Sequence, residues 1–329
     1  MTAKKAFRLM LGVGLASLFV WLVLRQIRLK EVAFVLHDAS AFWIGAALCA
    51  FSAAYACRIE RWRLMLKRDS PNLTFLTCAG PFLACFAANN ILPFRAGDML
   101  RAFTFNHVIG TTSGVVLATL VVERLLDLLI VLLLLGAALS VFGPAIARFS
   151  GVSGILLLVL ASTIITLLLF PKLFAPLVFA AGRLSARLVP KLSGEINHET
   201  TKCIETFCNL ARGNVVLKLL LWSFSAWMAE GCVFWFAALA LPSIDRPEAS
   251  WLALPVGSLA TLIPSTPGYV GTLDYFVLRS MTELDNEVAA AAAYALLVHA
   301  LLWLPPTLVG GLYFLLTQTR PRRALKAPA

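Results

Sequence analysis

Charge is what this sequence has least of. Only 14% of its 329 residues are Asp, Glu, Lys or Arg, whereas 60% are hydrophobic. Soluble domains carry about 25% charged residues, and mean hydropathy here is +0.85. So few charges cannot clothe a water-facing surface, which excludes a soluble globular protein. Histidine is scarce, with four, and the seven cysteines form no C-x-x-C pair. Neither a zinc site nor a disulfide framework is signalled. Cys49, Cys57, Cys78, Cys85 and Cys232 read as small packing residues inside apolar runs. No G-x-x-x-x-G-K-[ST] loop occurs, so nothing points to ATP-driven chemistry, and no cofactor or metal is expected. A net charge of +11 does not imply nucleic acid, because the basic residues lie in short segments flanking apolar runs. Cytoplasmic loops of membrane proteins have that pattern.

What is present is a series of apolar stretches near 7–24, 42–57, 73–92, 113–142, 152–170, 214–241, 251–268 and 288–317. Crossing a ~30 Å hydrocarbon core takes about 20 residues. Lys4, Lys5 and Arg8 precede a run that reaches Leu24 without a cleavage site, so it reads as a retained first helix with a cytoplasmic N-terminus. A basic loop with Arg58, Arg61, Arg63, Lys67 and Arg68, the segment 171–213, and the tail 318–329 ask for the same side. Asp245, Glu248 and the stretch Glu283–Glu287 are acidic and fit the outside. Segment 171–213, with Arg183 and Arg187 four apart, reads as an amphipathic helix in the cytoplasmic interface.

Three apolar segments between two same-side loops cannot all cross. The stretch NNILPFRAGDMLRAF (Asn89–Phe103) interrupts one of them, and Ile263–Gly271 (IPSTPGYVG) interrupts its counterpart in the second half. The expected architecture is therefore all-α and polytopic, with six full transmembrane helices and two re-entrant broken hairpins, 73–107 and 251–283. Residues 1–142 form a first repeat, 143–317 a second and inverted one, and both termini are cytoplasmic. The break residues are Pro93 and Gly97 in one hairpin, and Pro264, Pro267, Gly268 and Gly271 in the other. Paired Gly/Pro-interrupted segments in corresponding halves point to a transporter binding site near the midplane.

Helix 113–142 also carries Glu123, Arg124 and Asp127 near mid-membrane. Each such charge costs about 2.5–3.5 kcal/mol if it faces lipid. Arg124 can reach Asp127 at i,i+3, and Arg95 and Arg101 are the nearest further cations. Their charges either lock the hairpin to the helix or line a polar cavity. Glu230 lacks a partner nearby in sequence, His299 lies in the last helix before Pro305-Pro306, and Asp274 follows the second break. Unpaired N–H groups at the broken helix ends, with Arg95 and Arg101, offer a seat for an anionic headgroup. Asn89, Asn90, Asp98 and Tyr269 complete the candidate substrate-binding set.

Those three motifs, NNILPFRAGDMLRAF, Glu123-Arg124-Leu125-Leu126-Asp127 and IPSTPGYVG, resemble the lysylphosphatidylglycerol synthase transmembrane-region family. The resemblance covers nearly the whole chain and implies a lipid flippase or transporter in a bacterial inner membrane. Its amphiphile would be an anionic or modified phospholipid, a lipid-linked glycan or a hopanoid. Tyr269 stands where the family more often has Gly, and Asp98 and Asp274 where it more often has Glu. A soluble aminoacyl-transferring domain is not expected, so neither is enzyme activity. Two further readings stay open: a membrane-embedded enzyme on a lipid-linked donor, and a non-transporting partner of a glycosyltransferase or lipid-modifying enzyme.

Overall fold

A computed structural model describes residues 29–92, 95–143, 154–173, 175–188, 193–263 and 267–318, and every regular element among them is helical. The first expected crossing (7–24), the tail, and break residues Pro93 and Pro264 lie outside the described residues. The helices are α1 Leu29–His37, α2 Ala41–Leu66, α3 Phe75–Ile91, α4 Ala96–Phe103, α5 Asn106–Ile109, α6 Ser113–Phe142 and α7 Gly154–Leu169. They continue with α8 Ala175–Leu188, α9 Ser193–Leu210, α10 Gly213–Leu239, α11 Ser250–Ala260, α12 Thr272–Thr282 and α13 Val288–Gln318. Four of these, α2, α6, α10 and α13, are long and apolar enough to cross a membrane, while α3 and α7 are shorter apolar helices.

Local chemistry sets the boundaries. Thr74 and Thr112 cap α3 and α6, their hydroxyls accepting from the N–H of Thr77 and Val115. Gly143, at φ 88°, ends α6. The sequence expectation for α2 needs correcting. Arg58, Arg61 and Arg63 are not in a loop; the helix continues through them to Leu66. No Gly, Pro, Ser, Asn or Asp occurs from Ala53 to Lys67, so nothing stops it. Segment 171–213 likewise holds two helices, α8 and α9, packed on each other rather than a single amphipathic one. Helix α9 also packs on α6, where Glu199 accepts from the Gly114 backbone N–H.

At the centre, α2 packs along α10 and α3 along α13, while the short arms α4 and α12 fold back on α3 and α11. Small residues permit these approaches. The run Ala289–Ala293 is buried at the start of α13, and Gly310 lets the α13 backbone touch the α3 backbone at Leu83 and Ala84, where a Cβ would collide. Gly97 does the same for α4 against the Cys85 carbonyl. Gly310→Ala is therefore expected to lower stability by about 1–3 kcal/mol through overpacking. Thermal unfolding in detergent checks it, with Gly311→Ala, whose Cβ meets nothing, as the neutral control.

Candidate functional site

Two breaks in helical backbone meet at the middle of the molecule. On the first, Arg95 takes a left-handed conformation (φ 51°, ψ 43°) just before α4. On the second, Gly268 (φ 72°), Tyr269 (φ 61°) and Gly271 (φ 83°) do so just before α12, with Pro267 opening the turn. Left-handed backbone is costly for residues other than Gly, so Arg95 and Tyr269 are held there by their surroundings. They hold each other. Arg95 Nε donates to Tyr269 Oη at 2.9 Å, and the guanidinium lies 5.8 Å from the ring centroid. Beside them, Asn90 donates to the Trp303 carbonyl at 3.3 Å and to Thr307 Oγ1 at 2.8 Å, stitching the end of α3 to α13.

The helix ends at the breaks are not open anion seats, contrary to expectation. Asn89 clamps Asp98 from both sides, its amide donating to Oδ1 at 3.0 Å and its oxygen accepting from the Asp98 N–H at 3.3 Å. Asp274 Oδ2 accepts from the Gly271 N–H at 2.8 Å. Each short arm thus carries its own carboxylate in the first turn, where the dipole favours it. Each carboxylate also reaches one long helix: Asp98 binds Arg124 Nη2 at 3.0 Å, and Asp274 Oδ1 lies 2.7 Å from His299 Nδ1.

The other buried charges are paired, though not always as spacing suggested. Arg124 turns to Asp98 rather than to Asp127. Asp127 instead receives both terminal nitrogens of Arg61, at 2.6 and 3.3 Å, and the Trp227 indole N–H at 3.2 Å. Arg61, 1% exposed, also donates to Ser223 Oγ at 2.8 Å. Glu230 is not alone, because it forms an ion pair with Arg58. Arg101 meets Glu123 at 2.6 Å, and its guanidinium lies 4.2 Å from the Trp62 ring centroid and 5.0 Å from that of Phe82. Removing charges from water is costly, and such pairs persist because each partner neutralises the other.

A cavity of about 440 Å³ opens between the breaks and α2, α6, α10 and α13. Of the expected site residues, Asn89, Asn90, Arg95, Arg124, Asp127, Glu230, Gly268 and Tyr269 line it, as does His299. Asp98, Arg101, Glu123 and Asp274 do not, and neither do Gly97, Pro267 and Gly271. The wall also includes residues that sequence reasoning missed: Tyr55, Arg58, Phe86, Trp227 and Trp303. The unbroken stretch from Ala53 to Lys67 was the available signal for Arg58 and Arg61, since arginines on a continuing helix must find partners inside the protein.

These features define a class: an all-helical integral membrane protein with paired charges around a cavity at two helix breaks. A match to the family described as "Lysylphosphatidylglycerol synthase TM region" runs over residues 9–310, and the chain belongs to that family. Among curated proteins it is similar to the UPF0104 membrane protein MJ1078 of Methanocaldococcus jannaschii, at 24% identity over 73% of this chain and 97% of that one. The UPF0104 membrane protein MJ1595 of the same organism is 22% identical over 90% of this chain and 91% of that one. No solved structure matches.

Proposed function

We propose that this protein is a lipid transporter that passes an amphiphile's headgroup between leaflets through the cavity, with the tails left in lipid. The observation that carries this reading is Arg95. It lines the cavity where the two breaks meet, and among the described residues it meets no carboxylate, only the Tyr269 hydroxyl. A guanidinium left in such a place is suited to an anionic group brought by a ligand. Asp127 and Glu230, the carboxylates of the wall, are each bound to an arginine, which favours transport over an enzyme needing a free base.

The transport reading includes six crossings, two re-entrant hairpins (α3–α4 and α11–α12) and an inverted repeat with cytoplasmic termini. Support comes from exchanging α2 with α10, α3 with α11, α4 with α12 and α6 with α13. Packing of α3 on α13 then becomes packing of α11 on α6, and α4 on α6 becomes α12 on α13. Single residues follow the same exchange. Asp98 and Asp274 are each the third residue of their helices, and their partners Arg124 and His299 each the twelfth. Arg58 and Glu230 are each the eighteenth residue of α2 and α10, and they bind each other, as equivalent residues beside a two-fold axis do. Tyr55 and Trp227, each the fifteenth, flank the Arg58 guanidinium at 5.8 and 5.3 Å. A cavity on such an axis can open to either side by related movements of the two halves.

Reconstitution tests the reading. Proteoliposomes with fluorescent phospholipids and a leaflet-selective quencher should show protein-dependent exchange that falls at least tenfold with Arg95→Ala while the variant stays monodisperse. Absence of movement for every candidate lipid class would sink the transporter reading.

A further inference from the structure

We infer that the cavity selects a lipid with one phosphodiester negative charge and an otherwise neutral, hydroxylated head, a polyol or sugar, over lipids bearing an amine or quaternary ammonium. This rests on the transporter reading and specifies its substrate class.

Among the described residues, one arginine of the wall meets no carboxylate. Arg58 belongs to Glu230, Arg61 to Asp127 and Arg124 to Asp98. Asp274 is shared between His299 and the Gly271 N–H. Arg95 is the remaining arginine of the wall. A single negative group would give Arg95 the partner it lacks, while Asp274 stays with His299 and the Gly271 N–H. A headgroup amine would need a carboxylate, and to obtain Asp127 or Glu230 it would have to strip an arginine of its partner. That leaves a guanidinium uncompensated at depth, the costly outcome.

The tyrosine and tryptophan faces of the wall are already engaged. Rings can hold ammonium groups when an open face is presented. Here Tyr55 and Trp227 already face the Arg58 guanidinium, and Tyr269 faces Arg95. Trp303 closes over Gly268, where a Cβ would sit 2.7 Å from its indole nitrogen.

Two hydroxyl-bearing residues of the wall have hydroxyls left as acceptors. Ser258 Oγ and Thr261 Oγ1 line the cavity and donate to the Leu254 and Ser258 carbonyls at 2.7 Å each. Each hydroxyl has one proton, now spent, and two lone pairs left to accept. Ligand hydroxyls meet acceptors there, and an anion meets Arg95.

The experiment compares labelled phosphatidylglycerol, phosphatidylcholine and lysylphosphatidylglycerol in proteoliposomes of the full chain, alongside native mass spectrometry of the detergent-solubilised protein with the unlabelled lipids. Phosphatidylglycerol is expected to move at least tenfold faster than the other two and to be retained preferentially. Arg95→Lys should keep that order, Arg95→Ala should abolish it, and Arg95→Glu should favour lysylphosphatidylglycerol. Equal rates, or faster movement of the lysylated or choline lipid, would overturn the inference. If no lipid moves, the transporter reading fails and retention alone decides the class: preference for phosphatidylglycerol supports it, and no preference overturns it. Displacement of bound phosphatidylglycerol by equimolar glycerol 3-phosphate would show that the seat reads soluble phosphate, and would overturn the lipid assignment.

Discussion

Arg58→Glu is expected to be among the most damaging single changes in this chain, and adding Glu230→Arg should repair much of it. The single variant places two carboxylates against each other between α2 and α10, at the most extensive helix contact among the described residues. Removing one partner of a buried pair costs about 3–5 kcal/mol, and a like charge in its place costs more. The reversed pair should be tolerated because its surroundings are matched. An arginine at position 230 sits three residues after Trp227 on its own helix and faces Tyr55 across the contact, as Arg58 sits three after Tyr55 and faces Trp227. Thermal unfolding in detergent, followed by tryptophan fluorescence, gives the coupling energy from the four proteins. A double variant no more stable than the worse single would show that the two sides are not equivalent, and would weigh against the inverted repeat.

How much of this was legible in the sequence follows from how local each signal is. The bounds of α6 were readable, because Thr112 and Gly143 mark its ends and a long apolar run fills it. Both breaks were readable for the same reason: Gly97, Pro267, Gly268 and Gly271 are local punctuation. Partners of the buried charges were not. Asp127 has Arg124 three residues away, yet binds Arg61 from 66 positions earlier. Arg124 is drawn to Asp98, which Asn89 fixes in place on the first hairpin. Nothing in the local spacing reveals which of two arginines wins, since the outcome depends on how α2 and α4 lie against α6. The same non-locality turned Arg58 and Arg61 into apparent loop residues. Charge in an apolar run reads as an exit from the membrane unless a distant acid is known to meet it. The apolar wall of the cavity was hidden because Tyr55, Phe86, Trp227 and Trp303 come from four different helices.

Arg101→Met should cost about 3–5 kcal/mol, and the double variant Arg101→Met with Glu123→Leu should recover most of that loss. Arg101 is 1% exposed and Glu123 4%, so either alone leaves a buried charge without its counterpart, whereas removing both leaves an apolar contact. The second half has apolar residues at the corresponding places, in one buried cluster. Arg101 is the sixth residue of α4 and Glu123 the eleventh of α6; the same places in α12 and α13 hold Val277 and Val298, both fully buried. At this place one hairpin meets its long helix through charge and the other has apolar side chains, in addition to the Asp98–Arg124 and Asp274–His299 contacts the two share. Denaturant unfolding in micelles measures the cycle, and lipid exchange in proteoliposomes separates two roles for the pair. Recovery of both stability and exchange in the double variant makes Arg101–Glu123 a fastening of the first hairpin. Recovery of stability with exchange still lost would place the pair on the headgroup's route, although neither side chain lines the cavity at rest.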